Sequence, residues 1–368
     1  MSGTVTPAAN PFRDPARVRE LAGRIRGLVG DRRITLMEVC GTHTMSIARY
    51  GLRSILPESL RLLSGPGCPV CVTANRDIDR ILALARMPGV VLATFGDMVR
   101  VPGSRSSLMA EKAAGADVRI VYSPLDALDI AEKHPDRQIV FAGVGFETTT
   151  PAIAATVLEA RERGLSNFTV YSAHKATPPA VDAIARDPLS QVDGFILPGH
   201  VCTVTGTAPF AFLPAEHGLP GVVTGFEPVD ILMGVELLVR MVASGLPAVV
   251  NAYRRGVADQ GNPHARDLVA QAFQPVDAEW RGLGHMPASG LKLAPSLAAF
   301  DAEKRFDLPD EPAREHPGCR CGDVLRGRLA PSACPLFSGA CTPEHPVGPC
   351  MVSSEGSCAA SYRYREEA

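Results

Sequence analysis

Between about residues 34 and 245 the chain repeats one rhythm: a short β-branched apolar run, a polar or glycine-rich turn, then a helical stretch. The runs are ITLMEV, LRLLSG, VVLATFG, VRIVYS, QIVFAGVG, FTVYSA, VDGFILPG and GVVTGF. Continuous apolar strands spaced by helices describe parallel sheet covered on both faces, because a strand with one wet face would alternate. About eight strands are more than one compact sheet usually needs. The expected fold class is α/β, with two doubly wound parallel-sheet domains divided near residue 120. The first, residues 1–120, carries Cys40 and the CPVC loop; the second spans 121–245.

Chemistry collects in the turns after these runs. In order they read CGTHT, GPGCPVC, GDMVRVPGS, SPLD, GFETTTP, AHKATPP, GHVCTVTG and FEPVD. Ligands of parallel α/β sheets bind beyond the carboxyl ends of the strands, where helix N-termini converge. The turns place Cys40, His43, Cys68, Cys71, Glu147, His174, His200, Cys202 and Glu227 on such edges. Two units facing each other would line one cleft with them.

After residue 250 the rhythm fails, and GNPHARDLVAQAFQPVDAEWRGLGHMPASGLKLAP mixes helical and loop signals. From Pro312 onwards proline, glycine and cysteine dominate. Such a segment has too little apolar surface for a core of its own, and a metal centre is the natural cross-link. Residues 246–368 are therefore expected to form a cysteine-rich C-terminal domain.

A net charge of −2 gives no electrostatic footprint for nucleic acid or an anionic membrane. The stretch MSGTVTPAANPFRDPARVRELAGRIRGL has no apolar core of a secretory signal, and no run approaches the roughly 20 residues that span a bilayer. A cytoplasmic protein is expected. Ten cysteines in a reducing compartment argue for metal binding or thiol chemistry over a disulfide framework. No GxxxxGK[ST] or GxSxG occurs, and no GxGxxG follows a first strand, so nucleotide binding and elbow-type hydrolysis have no motif.

Cys40 ends a strand and opens a helix at GTHT, where the dipole and free N–H groups favour a thiolate. His43 offers a base, a supporting partner or a ligand; a buried thiol beside an ordinary helix cap is the competing reading. Cys68 and Cys71 form a C-x-x-C, a spacing that suits a reversible disulfide or half of a metal site. No second pair follows nearby and a helix starts at once, which favours a redox thiol. Cys334, Cys341, Cys350 and Cys358 are seven, nine and eight residues apart, with Cys319 and Cys321 upstream as C-x-C. Sulfur ligands supplied singly from irregular loops suit an iron–sulfur cluster better than structural zinc, which remains the alternative. The last four are taken as ligands. His200, His174, Glu147 and Glu227 each have a structural reading as well, and Cys202 reads equally as a small buried hydrophobe. Glu355, among the cluster cysteines, is costly unless paired or functional.

Together CGTHT, GPGCPVC, PGHVCTVTG and CPLFSGACTPEHPVGPCMVSSEGSC resemble the HypD family of [NiFe]-hydrogenase maturation proteins, with the motifs in family order from residue 40 to 358. The resemblance implies a scaffold that assembles the Fe(CN)2CO unit with a HypC-type chaperone and accepts cyanide from a HypE-type donor. It further implies a [4Fe–4S] cluster in a C-terminal domain packed on two α/β domains, with thiols arranged as in ferredoxin–thioredoxin reductase. On this reading Cys40 holds the transient iron with its CN and CO ligands, and Cys68 and Cys71 are a redox pair. Cys334, Cys341, Cys350 and Cys358 hold the cluster, while His43, His200 and Glu355 act around the iron. A plain thiol–disulfide oxidoreductase acting on a protein substrate is the competing class. It leaves Cys40 and the GTHT turn without work.

Overall fold

The computed structural model describes residues 10–310 and 312–364. Residues 1–9 of the charged N-terminal stretch lie outside the described residues; the rest forms a helix, Pro15–Val29. The strands among the described residues are β1 (Ile34–Glu38), β2 (Leu60–Ser64), β3 (Val90–Thr94), β4 (Asp117–Ile120), β5 (Gln138–Gly143), β6 (Phe168–Ser172), β7 (His174–Lys175), β8 (Gly194–Pro198), β9 (Gly221–Thr224), β10 (Val249–Asn251), β11 (Phe273–Trp280) and β12 (Gly284–Leu293). Every apolar run of the repeating region forms a strand.

The strands form two parallel sheets and one small antiparallel sheet. The first parallel sheet has the order β10-β9-β8-β1-β2 and the second β4-β3-β5-β6. The chain leaves the first sheet after β2, builds the whole second sheet, and returns to pair β8 with β1. The expected boundaries after residues 120 and 245 therefore fall within sheets: β4 pairs β3, which also pairs β5, and β10 completes the first sheet. Continuous apolar strands show that a sheet is buried but carry no mark of which strand lies beside which.

Alternation within each strand divides the core. In β1, Ile34 and Leu36 join a cluster with Leu21, Ile25 and Val29 of the first helix and Leu232 and Val235 of the helix Pro228–Ser244. Met37 and the following Val39 point to the opposite face, into a central core. In the second sheet, Val91, Ala93, Ile139 and Phe141 pack on Leu128, Ile153 and Val157 of flanking helices, while Leu92, Val140 and Ala142 enter the same central core. Fully burying each such side chain contributes roughly 1.5–3 kcal/mol, so the shared core fixes the sheets against one another.

The region after residue 250 holds more regular structure than its sequence suggests. β11 and β12 form an antiparallel hairpin joined to β7. Its tip reaches the C-x-x-C turn: Trp280 bridges Thr73, and the Arg281 amide donates to the Val72 carbonyl at 2.8 Å. Trp280 is buried, stacks on Phe146 at 5.8 Å and donates from Nε1 to Ser289 Oγ at 2.9 Å. The cysteine-rich segment is mostly irregular, with the short helices Cys321–Leu325 and Ser357–Tyr364. The latter packs on the helix Gly41–Arg49 that follows β1. Among the described residues no helix is long and apolar enough to cross a membrane.

Candidate functional site

Cys40 is the N-cap of the helix Gly41–Arg49, in extended backbone, and is buried. Its amide donates to Glu38 Oε2 at 3.0 Å. Thr44 Oγ1 donates to the other oxygen of the same carboxylate. Glu38 is itself buried, and burial pushes its carboxyl up to about 7 against these hydrogen bonds. Burial also pushes the Cys40 thiol up to about 12, helped by the charges of Glu355 and Glu38, while the His43 and Thr42 amides pull the other way. The helix-terminus effect expected from the sequence is present but is outweighed. A thiol held in this way is protonated when free and yields a thiolate where a cation replaces the proton.

The GPGCPVC loop lies directly on Cys40. Gly67 O accepts from the Gly41 amide at 2.9 Å, and a Cβ on Gly67 would stand 2.1 Å from the Cys40 nitrogen. Only glycine permits that approach. Cys68 then caps the one-turn helix Pro69–Val72, its Sγ accepting from the Cys71 amide at 3.3 Å. Both thiols are buried. Cys71 is raised well above its ordinary range by burial, and it lies within hydrogen-bonding reach of Cys350 and Cys68. Its Sγ is 3.9 Å from the Pro349 carbonyl.

The C-terminal cysteines meet on the far side of Cys71. Cys350 contacts Cys321, Cys358 and Cys71, and Cys319 contacts Cys321. A cavity of about 10 Å³ is lined by Cys319, Cys321, Cys334, Cys341 and Cys358 within an apolar wall that includes Leu336 and Met351. A Cβ on Gly348 would stand 2.7 Å from Cys319 Sγ and 2.8 Å from Cys321 Sγ, so glycine is required for the sulfurs to sit there. All six C-terminal cysteines thus converge, and the C-x-C pair belongs to the site with the four taken as ligands. Their sulfur-only donor set fits a soft metal or an iron–sulfur cluster.

The remaining candidates divide. His43 and His200 sandwich Phe226, with ring centroids 4.7 and 4.0 Å away. His43 is buried; its Nε2 lies 2.9 Å from Gly225 O and 2.8 Å from Thr224 Oγ1, and its Nδ1 has no partner among the described residues. Burial holds its pKa down to about 4, so the ring is neutral at physiological pH. Glu355 accepts from Thr42 Oγ1 at 2.6 Å and closes over Gly41, where a Cβ would meet Glu355 Cβ at 2.5 Å. Buried Cys202 is raised first by burial, then by the charges of Glu147 and Cys40. Glu147 is engaged by the Thr177 amide and hydroxyl, His174 by Ser172, and Glu227 by Arg13 and a capping box. His174 Nε2 is also buried without a partner among the described residues. Sequence reasoning missed Glu38, whose signal is a lone carboxylate inside an apolar strand two residues before Cys40. It also missed Phe226, which joins the two histidines.

Two parallel α/β sheets that bring a helix-capping cysteine, a buried C-x-x-C and six convergent thiols together define a cysteine-centred protein with the donor set of a soft-metal site. The family model described as "HypD: Hydrogenase formation hypA family" matches residues 16–365. Similar proteins include the "Hydrogenase maturation factor HypD" of Rhizobium leguminosarum bv. viciae, 47% identical over 96% of this chain and 94% of that one. The proteins of the same name from Rhodobacter capsulatus and Escherichia coli (strain K12) are 44% and 43% identical, over 97% of each chain in both cases. The chain belongs to the HypD family.

Proposed function

We propose that this chain is a hydrogenase maturation scaffold on which the iron of the Fe(CN)2CO unit is assembled. The observation that carries the reading is the unbroken succession of contacts from Cys40 through Gly67 to Cys68 and Cys71, and from Cys71 to Cys350. On this reading they serve in series as an anchoring thiol, a dithiol and a metal-type cysteine site. Cys40 supplies one soft ligand to the cargo iron, and a HypC-type chaperone supplies the other from its N-terminal cysteine. His43, His200 and Glu355 orient or protonate groups around that iron.

Cyanide arrives as the thiocyanate of a HypE-type donor, and its release as cyanide needs two electrons. The Cys68 sulfur attacks the thiocyanate sulfur as its thiol proton leaves; the S–C bond breaks and cyanide passes to iron. The resulting mixed disulfide is resolved by Cys71. This leaves a Cys68–Cys71 disulfide and the donor's free thiol, so electrons and sulfur balance. Bound at Cys334, Cys341, Cys350 and Cys358, a [4Fe–4S] cluster would supply one-electron transfer for reducing that disulfide. Cys71, pressed on Cys350 and Pro349, is the thiol that meets it.

Infrared spectroscopy of protein purified anaerobically with its maturation partners tests the reading. Cyanide and CO stretching bands are expected, lost in C40S while the cluster colour stays. A brown protein with an active dithiol and no such bands would instead mark a thiol–disulfide oxidoreductase.

A further inference from the structure

The tip of the β11–β12 hairpin buries a cation against the cysteine site. Arg281 has only 2% of its side chain exposed, and both Nε and Nη1 lack a hydrogen-bond partner among the described residues. The ion pair recorded for it is with Glu315, whose oxygen lies 3.3 Å from Nε but out of line for a hydrogen bond. Glu315 is 47% exposed, so water weakens that attraction. Arginine cannot shed its charge as a buried lysine can. A buried guanidinium with idle donors costs several kcal/mol unless a nearby anion compensates it.

The position of the tip identifies where that anion belongs. The Arg281 amide is bonded to Val72, next to Cys71. Gly282 lies on Gly322, next to Cys321; a Cβ on Gly282 would be 2.4 Å from the Gly322 Cα. Arg326 Nε donates to the Gly282 carbonyl at 2.8 Å and locks the turn from the cysteine-rich side. Neutral thiols offer the guanidinium no countercharge, whereas a [4Fe–4S] centre held by four thiolates is a net anion in its oxidised resting form.

We propose that Arg281 is the buried countercharge of the thiolate-bound metal centre and raises its reduction potential. The inference rests on the cluster reading above. The net charge around a cluster and the hydrogen bonds to its sulfurs both set the potential, and a fixed cation favours the state with one more electron. Arg281 is a positioning and tuning residue; it is not among the thiols that exchange.

Full-length wild-type, R281Q, R281K and E315Q proteins, reconstituted anaerobically with iron and sulfide, would be titrated with dithionite and mediators while the cluster is followed by visible absorption and EPR. R281Q should move the midpoint potential negative, and R281K should keep most of the wild-type value. E315Q removes the half-exposed carboxylate that offsets Arg281 and should move the potential positive. A cluster whose potential is the same in wild type, R281Q and E315Q overturns the countercharge role and leaves the cluster reading intact. If R281Q does not fold, a loss of the wild-type potential in R281K or an unmoved E315Q overturns it instead. A wild-type protein that takes up no cluster overturns both readings together.

Discussion

Replacing Gly67 with alanine tests whether close approach of the C-x-x-C loop to Cys40 is what organises the site. The added Cβ would stand 2.1 Å from the Cys40 nitrogen, 2.4 Å from its Cα and 2.4 Å from the Val39 carbonyl carbon. Ordinary contact begins at 3.4 Å, so loop and strand end must part by more than an ångström. All three atoms are backbone, and no side chain can rotate away. Overpacking of this kind costs typically 1–3 kcal/mol, and loss of the Gly41-to-Gly67 hydrogen bond adds about 1 kcal/mol. Gly23 is the matched control: it is exposed in the helix Pro15–Val29, and a Cβ there meets nothing within 4 Å. Alanine at Gly23 should stabilise by about 0.5–1 kcal/mol. Urea denaturation of the anaerobic proteins should therefore move the two midpoints in opposite directions. Bismaleimide or disulfide trapping between Cys40 and Cys68 should also change its yield in G67A alone. A G67A protein with wild-type midpoint, slope and trapping yield would refute the reasoning, because the close approach would then be dispensable.

Three further outcomes follow from the same contacts. Trp280→Ala removes a buried side chain at the hairpin tip and should cost about 3–5 kcal/mol in chemical denaturation, with faster hydrogen exchange at the Arg281 amide that pairs with Val72. Glu355→Gln removes a charge that raises the Cys40 thiol, so the pH midpoint of Cys40 alkylation should fall; an unchanged or higher midpoint contradicts the electrostatic assignment. His43 is held down to about 4 from an ordinary 6.5, so the unfolded chain takes up the proton first as pH falls, and stability present above pH 6.5 is lost on the way to pH 4. The loss amounts to about 3 kcal/mol. Glu38, raised from 4.5 to about 7, has the opposite slope, its contribution being lost as pH rises through that range. The difference between wild-type and H43Q denaturation curves at pH 5 and pH 7 isolates the histidine, and parallel curves at the two pH values refute its buried neutral state.

Strand positions were legible because parallel strands covered on both faces need unbroken apolar runs, and ITLMEV through GVVTGF supply them. Partnering was not legible. β8 returns beside β1 across the whole second sheet, and pairing at that separation depends on packing that no local pattern encodes. The β11–β12 hairpin was hidden for a different reason: Pro275 and Pro287 interrupt its strands, a register shift falls between Val276 and Ala278, and its buried positions do not alternate. That loss matters for the site, since the same hairpin carries Trp280 and Arg281 to the thiols.

Cysteine spacing pointed to three thiol sites but not to how they connect. The connections lie in glycines whose missing side chain is the functional feature. Gly67 lets the dithiol loop touch Cys40, Gly41 lets Glu355 close over the same helix, and Gly348 admits the sulfurs of Cys319 and Cys321. In a chain with 34 glycines, sequence alone marks none of these three as different from a turn residue. The C-x-C pair was left over in the sequence because four places were filled by four later cysteines; in the fold Cys321 meets Cys319, Cys350 and Cys358. A thiol with that many sulfur neighbours sits in the middle of the thiol group. With the cluster held by the four later cysteines, Cys334→Ser, a half-buried position at the cavity wall, should lower iron and sulfide content after reconstitution more than Cys321→Ser; the reverse order would move that ligand place to Cys321.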